Sequence, residues 1–286
     1  MIAAPLRAET LDERHSDGFY LSRGISVVAV VGATNIASLF VEPKRPEPTS
    51  HEWLAIDDTV RGHRSTEADI ASDVTLVTTL AVPFAANFAT GFDTTTLNTS
   101  VIYAEVVAAN YALNTAVKLT FPRLRPCNYD GITCGKSGGG QRKDDSLSFY
   151  SGHTSTAFAA ALGGSYLFAA AHPDLAARSW LFGTETALAT MTAIWRIRAG
   201  KHYYSDVAVG FLVGSAIGVG IPLLEGIRYR PSATEIAFAG GGVVVGGLVA
   251  VLAPFDVIVS PSRDLGVQIL PSIGRNDVGI ALNGRF

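Results

Sequence analysis

The chain has 286 residues, 48% of them hydrophobic and only 16% charged, with a formal net charge of −3. The near-neutral balance argues against a nucleic-acid partner, and the length suits one large domain or two modest ones. The apolar excess exceeds that of an average soluble protein and is concentrated in blocks.

In chain order, a mixed-charge polar segment, residues 1–24, precedes the first uncharged apolar stretch, Ile25–Val41. The acids ahead of it and the "EPKRPEP" behind it are a poor cleavage context, so it reads as an uncleaved first span. Residues 42–70 read as a Pro-rich turn and a short amphipathic helix outside the bilayer. Further uncharged stretches are Val74–Phe92, Thr154–Ala171, Val207–Leu224 and Ile236–Phe255. Thr99–Val117 and Ser179–Ile194 have the same character with one acid each, Glu105 and Glu185. A helix crosses a bilayer in about 17–25 residues, so seven blocks of near-equal length favour membrane spans over very apolar soluble helices. They are rich in Ala, Gly, Ser and Thr, as in closely packed membrane helices. Beyond Phe255, "DVIVSPS", "LGVQILPSI" and "DVGIALNGRF" predict two or three short strands. A terminal Phe on an alternating strand also ends many outer-membrane barrels, but three strands cannot close one. The expected fold is an all-α integral-membrane bundle of six core spans plus a seventh, with a short β-like C-terminal appendage. Its parts are the polar segment 1–24, a membrane domain over 25–226, and 227–286 with the extra helix and tail.

Three polar clusters interrupt this pattern: "KLTFPRLRP" (118–126), "YSGH" (150–153) and "WRIRAGKHYYSD" (195–206). The first ends the third span, the second opens the fourth, and the third joins the fifth to the sixth. Each span reverses sides, so all three share one face. Lys118, Arg125 and Arg196 supply cations, two of them guanidinium forks suited to phosphate oxygens. Ser151 and Gly152 sit at a helix start, where free N–H groups and the helix dipole favour an anion. His202 and Asp206 are four apart, so the carboxylate is placed to hold one ring nitrogen and free the other as nucleophile. His153 faces the anion as proton donor. Two histidines, one acid and fixed cations make a phosphoryl-transfer site with no metal and no cofactor.

K-x6-R-P (Lys118, Arg125, Pro126), S-G-H (Ser151, Gly152, His153) and R-x5-H-x3-D (Arg196, His202, Asp206) together resemble the type-2 phosphatidic acid phosphatase family. That family joins membrane lipid phosphatases, soluble bacterial acid phosphatases and vanadate-dependent haloperoxidases. The resemblance implies that His202 attacks phosphorus, Asp206 orients it, and His153 protonates the leaving oxygen and later helps activate water. Lys118, Arg125 and Arg196 hold the phosphate with Ser151 and the Gly152 amide. Two positions depart from the pattern: Tyr150 where the family usually has Pro, and Trp195 where it usually has Ser. The expected activity is hydrolysis of a lipid phosphate or diphosphate through a phosphohistidine. The alternatives are a vanadate-dependent haloperoxidase and a soluble secreted acid phosphatase.

Arg123 and Arg198, beside the bilayer, read as lipid-headgroup anchors. Glu105 and Glu185, near the opposite ends of their spans, read as structural or snorkelling acids reaching interfacial water or a neighbouring Thr. His15, His51, His63 and His172 have no companions and receive no role. Cys127 and Cys134 flank a turn-rich segment, and a local disulfide between them fits an oxidising compartment. The glycine-rich "GKSGGGQRKDD" reads as a polar loop and lacks the spacing of a phosphate-binding P-loop. The positive-inside rule would place the basic clusters in the cytoplasm. Several of those cations are required by phosphate, and the cysteines point outward. The expected location is therefore a bacterial-type inner membrane, with the catalytic face periplasmic or extracellular.

Overall fold

A computed structural model of the chain describes residues 17–43, 46, 52–128, 134, 143–255, 258–259, 267–273 and 278–284. The seven apolar blocks become seven helices: α1 (Asp17–Phe40), α2 (Thr66–Ala89), α3 (Thr94–Thr120), α4 (Gly152–Ala171), α5 (Ala177–Arg198), α6 (Tyr204–Leu224) and α7 (Ala233–Leu252). α1 begins inside the expected polar segment 1–24. α2 begins well before Val74, because Ser65 caps it and Glu67 and Asp69 in its first turn suit the positive end of the helix dipole. An apolar run starts only where charge stops, so these polar first turns escape a hydrophobicity reading. In place of the expected amphipathic helix stands a 3-10 turn, Ala55–Val60, followed by β1 (His63–Arg64).

α4 is apolar nearly all round and accordingly buried; it packs against α2, α3, α5 and α6. Its closest partner surface is a stripe of small residues on α6. A Cβ on Gly210 or Gly218 would lie 2.8 Å from the backbone oxygen of Ser151 or Ala159, and Gly214 faces the Ser155 backbone more closely still. Such stripes let helix backbones approach, and this one clamps the start of α4 to the start of α6. α7 docks on α5 in the same way, through Gly242 and Gly246 against Gly183 and Ala187.

Among the described residues four helices, α1, α2, α6 and α7, are long and apolar enough to cross a membrane. Polar side chains also bond within the bundle. Asn110 on α3 donates to Thr156 at 2.9 Å, and Thr75 and Thr192 join α2 to α5 at 2.7 Å. At one end of the bundle Arg23 of α1 pairs with Glu105 at 3.2 Å and Glu225 at 2.7 Å, so Glu105 is structural. Glu185 differs from its expectation. It is fully buried, and neither carboxyl oxygen has a hydrogen-bond partner among the described residues, Thr included.

The chain after α7 returns to the other end. β2 (Ile258–Val259) pairs antiparallel with β1, His63 opposite Val259, and β3 (Val267–Ile273) forms an antiparallel hairpin with β4 (Val278–Gly284).

Candidate active site

The three polar clusters meet at the end of the bundle where α3 and α5 finish and α4 and α6 begin. Lys118 lies in the last turn of α3. Asn114, one turn earlier, donates to the carbonyl of Tyr150 at 3.0 Å and so anchors the approach to α4. Ser151 is the buried N-cap of α4; its hydroxyl accepts from the Thr154 amide at 3.3 Å. A Cβ on Gly152 would lie 2.6 Å from Asn114 Oδ1, so the Asn114 side chain can approach this backbone only because the residue is glycine, and Lys118 Nζ lies beside it.

The α5–α6 connection turns at Gly200, whose φ of +67° is left-handed. Its carbonyl accepts from the Cys127 amide at 2.9 Å. Cys127 is disulfide-bonded to Cys134, and Lys201 Nζ donates to the Cys134 carbonyl at 3.2 Å. These contacts tie the segment after Arg125 to the loop that carries His202. The glycine-rich run 135–142 lies outside the described residues, as do His15 and His51.

His202 is 1% exposed. Its Nδ1 lies 2.8 Å from the backbone carbonyl of Ser148, whereas Asp206 Oδ2 is 3.8 Å away. A carbonyl only accepts, so Nδ1 carries the proton and Nε2 presents its lone pair. Nε2 has no hydrogen-bond partner among the described residues. Burial, and then the charges of Arg125, Lys118, Arg196 and His153, hold the imidazole well below its ordinary 6.5, so it is neutral.

The expected direct Asp206–His202 hydrogen bond is thus replaced by an indirect one. Asp206 Oδ2 accepts from Ser148 Oγ at 2.6 Å and from the Tyr203 amide at 2.9 Å, fixing both the residue whose carbonyl holds the ring and the residue next to it. The physical reason is position. Asp206 is in the first turn of α6, where its carboxylate accepts from the backbone amide of the N-cap residue Tyr203.

Arg123 is not a headgroup anchor. It is 5% exposed and bonds Asp206 at 2.6 Å, Glu52 at 2.8 Å and Asp57 at 3.1 Å. Its guanidinium also stacks over the rings of Trp53 and Tyr203. Asp57 accepts in turn from the Ser205 amide at 3.0 Å and hydroxyl at 2.6 Å. Arg198 likewise departs from the headgroup reading, donating to the Ala250 carbonyl at 2.6 Å and the Phe255 carbonyl at 3.0 Å at the end of α7. Trp195 points the same way, its indole N–H on the Ala250 carbonyl at 3.2 Å. The unexpected tryptophan therefore docks the seventh helix. Tyr150, the other departure, is buried against Phe149.

Arg125 and Arg196 are both buried. Arg125 Nη1 reaches the Lys201 carbonyl at 3.4 Å, and Arg196 Nη1 bonds Asp69 at 2.6 Å and Ser72 at 3.2 Å. His153 is at the mouth of the site with its Nε2 2.8 Å from Asp73 Oδ1. The structure therefore brings Lys118, Arg125, Ser151, Gly152, His153, Arg196, His202 and Asp206 to one end of the bundle, around an unbonded imidazole nitrogen. Glu52, Asp57, Asp69, Asp73 and Ser148 escaped the sequence reading, and Arg123 carried a different role in it. Only Asp69 and Asp73 left a signal, two acids four apart at the mouth of an apolar run. Among the described residues, no group of three or more His, Cys, Asp or Glu side chains is placed to hold a metal ion.

Comparison with known proteins adds a family. A solved structure described as the first transmembrane PAP2 type phosphatidylglycerolphosphate phosphatase from Bacillus subtilis is 18% identical to this chain. The match covers 75% of this chain and 96% of that one, with a TM-score of 0.42. No curated protein matches. The PAP2 superfamily model matches residues 99–229, a stretch that holds α3 to α6 and all three polar clusters. With those clusters assembled around His202, residues 99–229 of this chain are a PAP2 superfamily domain.

Proposed function

We propose that this protein is a membrane phosphatase that hydrolyses a lipid phosphate or diphosphate through a phosphohistidine at His202. The observation that carries this reading is the state of that ring: buried, neutral, held at Nδ1 by a backbone carbonyl, and unbonded at Nε2. Nε2 attacks phosphorus while Lys118, Arg125 and Arg196 balance the charge on the phosphoryl oxygens. The Ser151 hydroxyl and Gly152 amide add donors at the start of α4. The P–O bond to the lipid breaks, and His153 gives its proton to the leaving oxygen. His153 then takes a proton from water, whose oxygen displaces the imidazole from phosphorus and releases phosphate. As the phosphoimidazole gains positive charge, Asp206 at 3.8 Å stabilises it. Charge neutralisation in this scheme needs no metal or other cofactor.

A lipid substrate is favoured over a soluble one by the four helices, among the described residues, that are long and apolar enough to cross a bilayer in the bundle that carries the site. A vanadate-dependent haloperoxidase would share the constellation and not the need for those helices. We also place the site on the outer face of the inner membrane, because the Cys127–Cys134 disulfide beside it requires an oxidising compartment.

One panel tests the reading. Purified protein is given phosphatidic acid, phosphatidylglycerol phosphate, a polyprenyl diphosphate and a lipid A phosphate, with phosphate release as the readout. Intact spheroplasts are then given the impermeant substrate p-nitrophenyl phosphate. Turnover of at least one lipid, with an acid-labile phosphohistidine lost together with turnover in His202→Ala, is expected. An active His202→Ala enzyme, or activity only after the spheroplasts are lysed, would refute the nucleophile or the sidedness respectively.

A further inference from the structure

α2 lies outside the stretch that matches the family, yet it brings two carboxylates to the site. Asp69 and Asp73 are four apart and so share one face of the helix. Asp69 pairs with Arg196 at 2.6 Å and with Lys201 at 3.0 Å. Asp73 Oδ1 is 2.8 Å from His153 Nε2 and 3.6 Å from Arg196 Nη1.

His153 otherwise faces positive or titratable groups. Lys118 comes from α3, Arg196 from α5, and His202 from the α5–α6 connection, with Lys201 of that connection near Asp73. Burial first, and then Arg196 and Lys118, push the His153 imidazole down to about 4, with the Asp73 contact acting in the opposite direction, and a proton donor must be charged before it can protonate a leaving group. Among the described residues Asp73 is the carboxylate in contact with the ring, with Asp69 behind it. We infer that Asp73 is a positioning residue: it favours the charged form of His153 against those neighbours and fixes its ring at the mouth of the phosphate site. One ring N–H stays on Asp73. The other passes its proton to the leaving oxygen as the P–O bond breaks, and Asp73 remains a carboxylate throughout.

The pair is built for chemistry more than for stability. Its side chains are 60% and 31% exposed, and exposed ion pairs contribute little to folding. The site then has two imidazoles of different support, one on a buried backbone carbonyl and one on an exposed carboxylate. The inference rests on the reading of His153 as the acid.

The test uses the purified full chain with two substrates, p-nitrophenyl phosphate and dihexanoyl phosphatidic acid. Their leaving groups differ widely in their need for a proton. Asp73→Asn should lower kcat for the phosphatidic acid by about 10- to 100-fold, at or below the usual contribution of a general acid, and p-nitrophenyl phosphate turnover by less than about threefold. The basic limb of the kcat/KM profile should move to lower pH, because the imidazolium has lost its carboxylate. Asp73→Ser should behave alike, and Asp73→Glu should recover most of the loss. Equal losses on both substrates with an unmoved limb would mark a structural role and overturn the inference, as would no loss. His153→Ala, run in parallel, separates the two failures. If it shows the leaving-group dependence and Asp73→Asn does not, the inference about Asp73 alone falls. If His153→Ala treats both substrates alike, the acid assignment falls and takes the inference with it.

Discussion

His202 and His153 belong to one constellation, yet the first side chain is 1% exposed and the second 31%. Around His202 the support is backbone and buried charge: the Ser148 carbonyl, then Asp206, then Arg123 with Glu52 and Asp57. Around His153 it is one carboxylate on the rim, Asp73. A nucleophile must keep one tautomer and one direction, and a backbone carbonyl sealed from water enforces both. An acid–base group must gain and lose a proton in every cycle, and an exposed partner leaves it that freedom. The difference also divides the two sites energetically. The His202 network is buried in the fold, whereas the His153 pair lies on its exposed rim.

The sharpest way to break this contrast is to remove the centre of the buried network. Arg123→Met leaves Glu52, Asp57 and Asp206 without their shared cation in a buried setting, and breaking such a pair costs about 3–5 kcal/mol. Thermal unfolding in detergent should show a large destabilisation, with turnover falling alongside it. A variant of wild-type stability would mean that the network does not bear on the fold.

A second test uses pH. The folded His202 titrates well below its ordinary 6.5, because burial and then Arg125, Lys118 and Arg196 disfavour its charge. Between those two pH values the unfolded chain binds a proton that the folded chain does not. Stability is therefore fully present above about pH 6.5 and lost as pH falls below it, by up to about 1.4 kcal/mol per pH unit. His202→Gln should flatten that slope in a series of thermal midpoints; an unchanged slope would assign it to other groups.

The smallest expected effect is at the rim. Asp73→Asn should change the unfolding free energy by less than about 1 kcal/mol, as for exposed ion pairs generally. A loss comparable to that of Arg123→Met would erase the distinction between the two sites.

Much of this was legible in the chain before folding. Seven apolar blocks fall on α1 to α7, because bilayer-length runs of Ala, Val, Leu and Gly have few other ways to satisfy their backbone. The three motifs lie at one end because consecutive helices alternate direction. What escaped was whatever depends on a partner distant in sequence. Arg123 and Arg198 were indistinguishable from surface cations until Glu52 and Asp57 met the one and the end of α7 met the other. Trp195 lacked a rationale until Ala250 stood opposite its indole. The onset of α2 was hidden because acids that suit a helix N-terminus interrupt an apolar pattern.

The sequence by itself determined the number of helices, the end of the bundle that carries the chemistry and the residue types available to hold an anion. Local periodicity and motif spacing are enough for those. Tertiary structure decided which group holds which. It put Ser148, not Asp206, on Nδ1 of His202, and it placed Asp73 of α2 beside His153. A hydrogen bond is settled within a few tenths of an ångström, and only the packed approach of α4, α6 and their neighbours, through Gly210, Gly214 and Gly218, sets distances that finely.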